Sequence, residues 1–261
     1  MTEEELKGKI AIVTGGGAGI GRAISIALAG AGAHVVIPDL NLYDANGTAE
    51  IISKTGGEAL PLEADISDPA CVDLVFDKAK ERYGCVDILI NNAGTTHPAV
   101  SILDLDLSFV ESIFAVDYKG LYLCCRRAVK EMSLAKGGSI VNISSIAGLT
   151  PLPLVMYGPM KSAVNMLTRI LAREWAHCNI RVNAIAPGYV LTPLMEGMIN
   201  RGLRDPSLII ERTPMKAMLL PEDIAEASLF LVSPKASHIT GTILTVDGGW
   251  TSDGGWTAYP R

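Results

Sequence analysis

The sequence predicts a single α/β domain in which one parallel sheet of about seven strands carries helices on both faces. Three observations lead there. Short apolar runs such as Ile10-Ala-Ile-Val13 and His34-Val-Val-Ile37 lack polar alternation, as strands buried on both faces do. Helical stretches separate these runs along the whole chain. Each run ends in residues that turn or bind rather than pack, and open parallel sheets place ligands beyond the carboxyl ends of their strands.

Residues 10–13 form the first strand, and Thr14-Gly15-Gly16-Gly17-Ala18-Gly19-Ile20-Gly21 follows at once. Residues 22–29 then read as a helix ending at Gly30 or Gly32. Strand, glycine-rich turn and helix in that order are the setting of a dinucleotide site. Glycine lets the backbone approach a pyrophosphate, and the helix N-terminus offers free N–H groups. Residues 34–37 are the second strand, with Asp39 at its end and a helix starting near Leu42. An acid there hydrogen-bonds the adenosine ribose hydroxyls and repels a 2′-phosphate. Leu40 and Asn41 follow it with no cation to attract that phosphate, so NAD is expected over NADP. A role for Asp39 as cap of the following helix is compatible with this.

Residues 59–63 are the third strand, followed by Asp65-Ile66. Asp68-Pro69 opens a helix over 70–83, with proline at the first helical position. Strand 86–90 leads into Asn91-Asn92-Ala93-Gly94. A long helix over 109–132, a strand over 139–143 ending in Ser144-Ser145, and a helix from Tyr157 to about His177 come next. A strand over 180–185 ends in Ala186-Pro187-Gly188, and a helix over 221–231 and a strand over 242–246 complete the pattern. No repeat or long linker intervenes. Residues 1–261 are therefore read as one domain, with a frayed start over 1–7, a substrate lid over 191–218 and a tail over 250–261.

Composition narrows the function. A chain that is 49% hydrophobic and 19% charged can build a sizeable core. A net charge of −6 argues against a nucleic-acid surface. Met1-Thr-Glu-Glu-Glu lacks the basic-then-apolar order of a signal peptide, and no apolar run reaches the roughly 18 residues of a membrane span. The expectation is a cytoplasmic protein with no membrane partner. Five scattered cysteines and four distant histidines suggest reduced core thiols and no metal site.

Tyr157 and Lys161 stand four residues apart, on one face of a helix. A free phenol ionises near pH 10, too high for acid–base work at neutrality, and a neighbouring ammonium favours its anion. Pro159 fits only if this is the first turn, where a missing N–H costs little.

With these motifs in order, the chain resembles the short-chain dehydrogenase/reductase family from about Gly8 to Gly249. The resemblance rests on Thr14-Gly15 with Gly19 and Gly21, Asp65, Asn91 to Gly94, Ser144-Ser145, Tyr157 with Lys161, and Asn183 to Gly188. It implies a Rossmann-like fold and an NAD-dependent oxidoreductase working on a secondary alcohol or the matching ketone. It implies Tyr157 as general acid–base, Ser145 as the group that steadies the substrate oxygen, and Lys161 as holder of the nicotinamide ribose and activator of Tyr157. Thr14, Gly15, Gly17, Gly19, Ile20, Gly21, Asp39 and Leu40 would hold the adenosine and phosphate half of the cofactor. Asp65 and Ile66 would flank the adenine, and Asn91, Asn92, Ala93 and Gly94 would line the channel. Ile185, Pro187, Gly188, Val190 and Thr192 would lie along the nicotinamide. A homotetramer, or a homodimer, is implied on the same ground. The alternatives are an NAD(H)-binding scaffold or regulator without catalysis, and an epimerase or dehydratase using the same cofactor.

The chain departs from the family pattern in three places. Asp117 stands where the family has an asparagine that supports a proton relay from the lysine. The interval from Ser145 to Tyr157 is one residue shorter than the commonest spacing, which keeps Ser144 as a reserve candidate. The insert Gly158-Pro159-Met160 is unusual, since small residues or serine are commoner between the tyrosine and the lysine. Substrate walls are expected from Thr95, Thr96, His97, Leu149, Leu152, Leu154, Met156 and Tyr189. Arg201, Arg204, Arg212 and Lys216 in the lid read as a solvated face more readily than as an anion site. The aromatic tail (Trp250, Trp256, Tyr259) is expected to pack on a neighbouring subunit or to close a pocket.

Overall fold

A computed structural model describes residues 5–135 and 137–253. The strands are β1 (Ile10–Val13), β2 (His34–Asp39), β3 (Ala59–Glu63), β4 (Ile88–Asn91), β5 (Gly138–Ile143), β6 (Ile180–Pro187) and β7 (Ile243–Val246). They form one seven-stranded sheet in the order β3-β2-β1-β4-β5-β6-β7, and every pairing is parallel. The helices are α1 (Gly19–Gly30), α2 (Leu42–Lys54), α3 (Pro69–Arg82), α4 (Leu107–Ile113), α5 (Leu121–Ala135), α6 (Tyr157–Trp175), α7 (Pro193–Asn200), α8 (Pro206–Arg212) and α9 (Pro221–Val232). The crossovers reverse between β1 and β4, so the sheet has a topological switch point there.

Alternation within each strand divides the core in two. Ala11, Val13, Val35, Ile37, Ile90 and Val141 face the side of α1 and α9. Ile12, Val36, Leu89 and Ile140 face the side of α3, α5 and α6, where Phe76, Met132 and Val164 meet them. Both faces are apolar, which is why the strands read as unbroken hydrophobic runs. Each such side chain contributes about 1.5–3 kcal/mol by leaving water.

The long helix expected over 109–132 is three segments. A π-helical stretch, Phe114–Gly120, separates α4 from α5. Wider winding of this kind often marks a functional site, and here it turns Asp117 fully inward. The glycine at its end lets it approach the chain after β3: a Cβ on Gly120 would lie 2.9 Å from Ile66 Cδ1 and 3.0 Å from its carbonyl. Other differences are smaller. α1 starts at Gly19 and takes in Gly19 and Gly21; β4 starts at Ile88; α6 ends at Trp175 and passes into a 3₁₀ turn, Ala176–Cys178. The expected lid stretch, 191–218, holds two helices, α7 and α8. Both open on a capping side chain followed by proline, Thr192-Pro193 and Asp205-Pro206, the signal that Asp68-Pro69 gives for α3.

Gly21 is the tightest point of the fold among the described residues. A Cβ there would stand 2.1 Å from the Gly15 carbonyl oxygen and 2.5 Å from Asn92 Nδ2. Gly21→Ala should destabilise the protein by about 3 kcal/mol, a value typical of overpacking, as read by urea unfolding.

Candidate active site

The glycine turn after β1 is built in advance. Arg22 Nε and Thr48 Oγ1 both donate to the Gly17 carbonyl, at 2.8 and 3.0 Å. Gly15 and Gly19 take positive φ, 62° and 52°, where side chains strain the backbone. A Cβ on Gly17 would fall 2.8 Å from both Asp39 Oδ2 and the Ala45 nitrogen. Ala18 at the start of α1 offers no capping side chain, and the first turn carries no acid. Asn41, Asp68, Asp106, Thr192 and Asp205 each cap their helices with a side-chain oxygen. The orphan N–H groups of α1 are thus left for an external anion. Asp39 reaches over this turn, accepting from Gly17 N through Oδ2 and from Asn41 N through Oδ1, both at 2.9 Å. It does not cap α2; Asn41 does. Leu40 is exposed beside it, and Ile20 packs against the core.

Thr14 and Asn92 fasten the switch point. Thr14 Oγ1 accepts from Asn92 N and Ala93 N, and Asn92 Nδ2 donates to the carbonyls of Thr14 and Gly15, all at 3.0 Å. Asn91, expected to line the channel, points instead into the core. It donates to Asn142 Oδ1 at 2.8 Å, and Asn142 donates to Thr168 Oγ1 at 2.9 Å, so β4, β5 and α6 share one buried polar chain. Asp65 accepts from Ser67 N at 2.8 Å, and the Ile66 side chain is buried.

The charged centre lies under the carboxyl end of β5. Lys161 is 3% exposed. Its Nζ donates to the Ile143 carbonyl at 3.0 Å and pairs with Asp117 Oδ2 at 3.0 Å. It also stands 5.4 Å from the centre of the Tyr157 ring. Burial pulls the Lys161 pKa down most strongly, but Tyr157 and Asp117 together outweigh it and hold the ammonium above its ordinary range. Asp117 Oδ1 accepts from Thr95 N at 2.8 Å, and Gly94 leaves the space for this: a Cβ there would lie 2.9 Å from Asp117 Oδ2.

The two serines part company. Ser144 is buried and donates to the Lys161 carbonyl at 3.3 Å. Ser145, half-buried, lines a cavity of about 170 Å³ together with Tyr157. Leu152, Leu154, Tyr189, Gly188, Thr192 and Met195 are among its other walls. Pro187 closes β6 and Val190 is buried against Leu219; both shape the approach without lining this cavity. A larger cavity, about 660 Å³, opens at the other end of the strands around Lys9, Asp87 and Arg181. Its guanidinium is bonded to the carbonyls of Leu231 and Val232.

His97 sits at the cavity wall in a role the sequence did not suggest. Its Nδ1 lies 2.7 Å from the Pro98 carbonyl, and its Nε2 faces the backbone nitrogens of Met156 and Tyr157 at 3.2 and 3.4 Å. A carbonyl only accepts and an amide only donates, so Nδ1 carries the proton and Nε2 is bare. The ring caps α6, which has no cap of its own, and has no lone pair left for a substrate.

Trp250 belongs to the tail expected to pack on a neighbouring subunit or to close a pocket. It is 5% exposed and packs with Ile146 and Ile209, against Leu152, Tyr189 and Met218, behind the cavity. Arg212 stacks on its ring at 4.3 Å. Trp256 and Tyr259 lie outside the described residues.

Comparison with known proteins agrees with this architecture. The profile of a family described as Enoyl-(Acyl carrier protein) reductase matches residues 15–251. The cis-4-hydroxycyclohexanecarboxylate dehydrogenase of Sinomonas cyclohexanicum is 38% identical over 94% of this chain and 97% of its own length. A 7α-hydroxysteroid dehydrogenase solved with NADH and 7-oxo glycochenodeoxycholic acid superposes with a TM-score of 0.89 at 36% identity, over 95% of this chain and 97% of that one. A candidate 2-deoxy-d-gluconate 3-dehydrogenase of Agrobacterium tumefaciens, solved with NADP, gives 0.87 at 35%, over 97% and 100%. Profile, identity over nearly the full length and shared fold together place the chain in the short-chain dehydrogenase/reductase family of oxidoreductases.

Proposed function

We propose that this chain is an NAD-dependent oxidoreductase that interconverts a secondary alcohol and its ketone, with Tyr157 as general acid–base. One observation carries the reading: Ser145 and Tyr157 line a single cavity while the Lys161 ammonium lies buried beside the tyrosine ring. The residues present fit a dinucleotide. The uncapped N-terminus of α1 suits a pyrophosphate, and Asp39 beside it suits a ribose diol and opposes a 2′-phosphate. Relatives of similar identity were solved with NADH in one case and NADP in the other, so Asp39 is the basis for NAD here.

When bound, the nicotinamide supplies the hydride acceptor or donor. The chain's own residues handle the oxygen. Ser145 Oγ hydrogen-bonds it and Tyr157 Oη takes or returns its proton; the Lys161 ammonium steadies the charge left on the phenol oxygen. Asp117 acts through Lys161. It neutralises a cation that burial would otherwise disfavour, and it weakens that cation's hold on the phenolate. The 4-hydroxycyclohexanecarboxylate of one relative's name and the 7-oxo glycochenodeoxycholic acid bound to another both carry the oxygen on an alicyclic ring, which favours a ring carbinol here. A homotetramer in the cytoplasm completes the proposal. No helix among the described residues is long and apolar enough to cross a membrane.

On a panel of alicyclic alcohols, Tyr157→Phe should lower kcat by about a thousandfold while NADH affinity, read by nicotinamide fluorescence, stays the same. Retained turnover would remove the acid–base assignment. Asp39→Ala should cut the ratio of kcat/KM for NAD over NADP by about tenfold or more, since one opposing charge is lost. The pH profile tests Asp117. A raised lysine pKa means that charge is kept through the ordinary lysine range and lost only as pH rises through the folded-state value. Asp117→Asn removes one of the two groups that raise it. The alkaline limb of kcat/KM should therefore move to lower pH, and a limb that stays in place would show the two groups to be uncoupled.

A further inference from the structure

The cavity that holds Ser145 and Tyr157 is apolar over most of its wall, with Ile146, Leu154, Leu194 and Met198 among its residues. Among the described residues, one lysine or arginine lines it, Arg204 in the stretch between α7 and α8, and no Asp or Glu does. Arg204 is half-buried, and its guanidinium makes no ion pair or hydrogen bond with any described residue. By sequence it is one of four lid cations that read as a solvated face. The other three have partners. Arg201 Nε donates to the Gly197 carbonyl at 2.9 Å, Arg212 stacks on Trp250, and Lys216 Nζ donates to the Glu211 carbonyl. Arg204 alone of the four lines the cavity.

We propose that Arg204 is a specificity-determining residue that receives the carboxylate of the substrate. The substrate is then a hydroxy acid, or the matching keto acid, with an apolar body between carbinol carbon and carboxylate. A half-buried guanidinium without a counter-charge loses hydration and gains nothing in return, so it is a receptor for an anion. Its planar fork matches a carboxylate with two parallel hydrogen bonds, which fixes orientation as well as affinity. With the carboxylate held by the lid, the carbinol is presented to Ser145 and Tyr157 at the other pole, and the apolar walls take the body between. The anion has a second potential source, the phosphates of the dinucleotide, and the experiment separates the two. The proposal rests on Tyr157 as the acid–base group.

The test measures kcat/KM for alicyclic hydroxy acids paired with their methyl esters, using wild type, Arg204→Leu, Arg204→Lys and Tyr157→Phe, with NAD affinity measured alongside. Wild type should prefer each acid to its ester. Arg204→Leu should lower the acid-to-ester ratio by about 10- to 100-fold, mainly through KM, at unchanged NAD affinity. Arg204→Lys, which keeps charge but not the fork, should fall between. The proposal is overturned if wild type turns over esters as well as acids, if it turns over no acid, or if Arg204→Leu leaves the ratio unchanged. Weakened NAD binding at a constant ratio would overturn it too, and would assign the guanidinium to the cofactor phosphates. Should Arg204→Leu fail to fold, the wild-type preference and Arg204→Lys still decide. If Tyr157→Phe keeps its activity, the acid–base reading fails instead, whatever Arg204 does.

Discussion

A lysine with 3% of its surface exposed is the constraint from which the centre of this molecule follows. An ammonium taken out of water costs several kcal/mol unless partners replace the lost hydration. Lys161 receives a carbonyl from the end of β5, a carboxylate from the π-helical stretch and the ring of Tyr157 one turn away. Each partner sits on a different element. The cation therefore fixes how β5, α6 and the middle of the long helix meet, and removing the Asp117 carboxylate leaves a buried ammonium without its counter-charge.

The sheet provides the frame for this. Strands parallel throughout bring Thr14, Asp39, Asn92 and Ser145 to the same edge. The reversal between β1 and β4 opens the crevice there, and Thr14 and Asn92 hold its two sides together. Beneath it, Asn91, Asn142 and Thr168 cross-link three elements through buried hydrogen bonds. Such chains are specific because each member, once moved, strands the next in an apolar setting.

The seven strands and five of the nine described α-helices (α1, α2, α3, α6 and α9) were legible in the sequence within a few residues, because two-faced burial and proline-led caps leave local signals. The long helix of the middle third was legible as one element only. Its division by π-winding was not, since extra residues per turn depend on what Asp117 and Gly120 meet from elsewhere in the fold. The helices of the lid carried cap-and-proline signals that went unread. At the site, the glycine turn and the Tyr157–Lys161 spacing could be read because they are local. The inward turn of Asn91, the stacking of Arg212 on Trp250, and the difference between Arg204 and its neighbours could not. The first two are set by partners 30 or more residues away, for which no local pattern exists, and the third by which lid residue the fold brings to the cavity wall.

The histidine at the head of α6 ties two things that are usually separable. The loop after β4 shapes one wall of the cavity, while α6 carries the Tyr157 phenol proposed as the acid–base group, and a bare imidazole nitrogen joins them across 60 residues of chain. Grafting a different loop onto this scaffold to change its ligand would also withdraw the acceptor from the helix and tilt its first turn. Under the proposed roles, selectivity and turnover are mechanically linked, and any replacement loop must keep the imidazole or give the helix another acceptor.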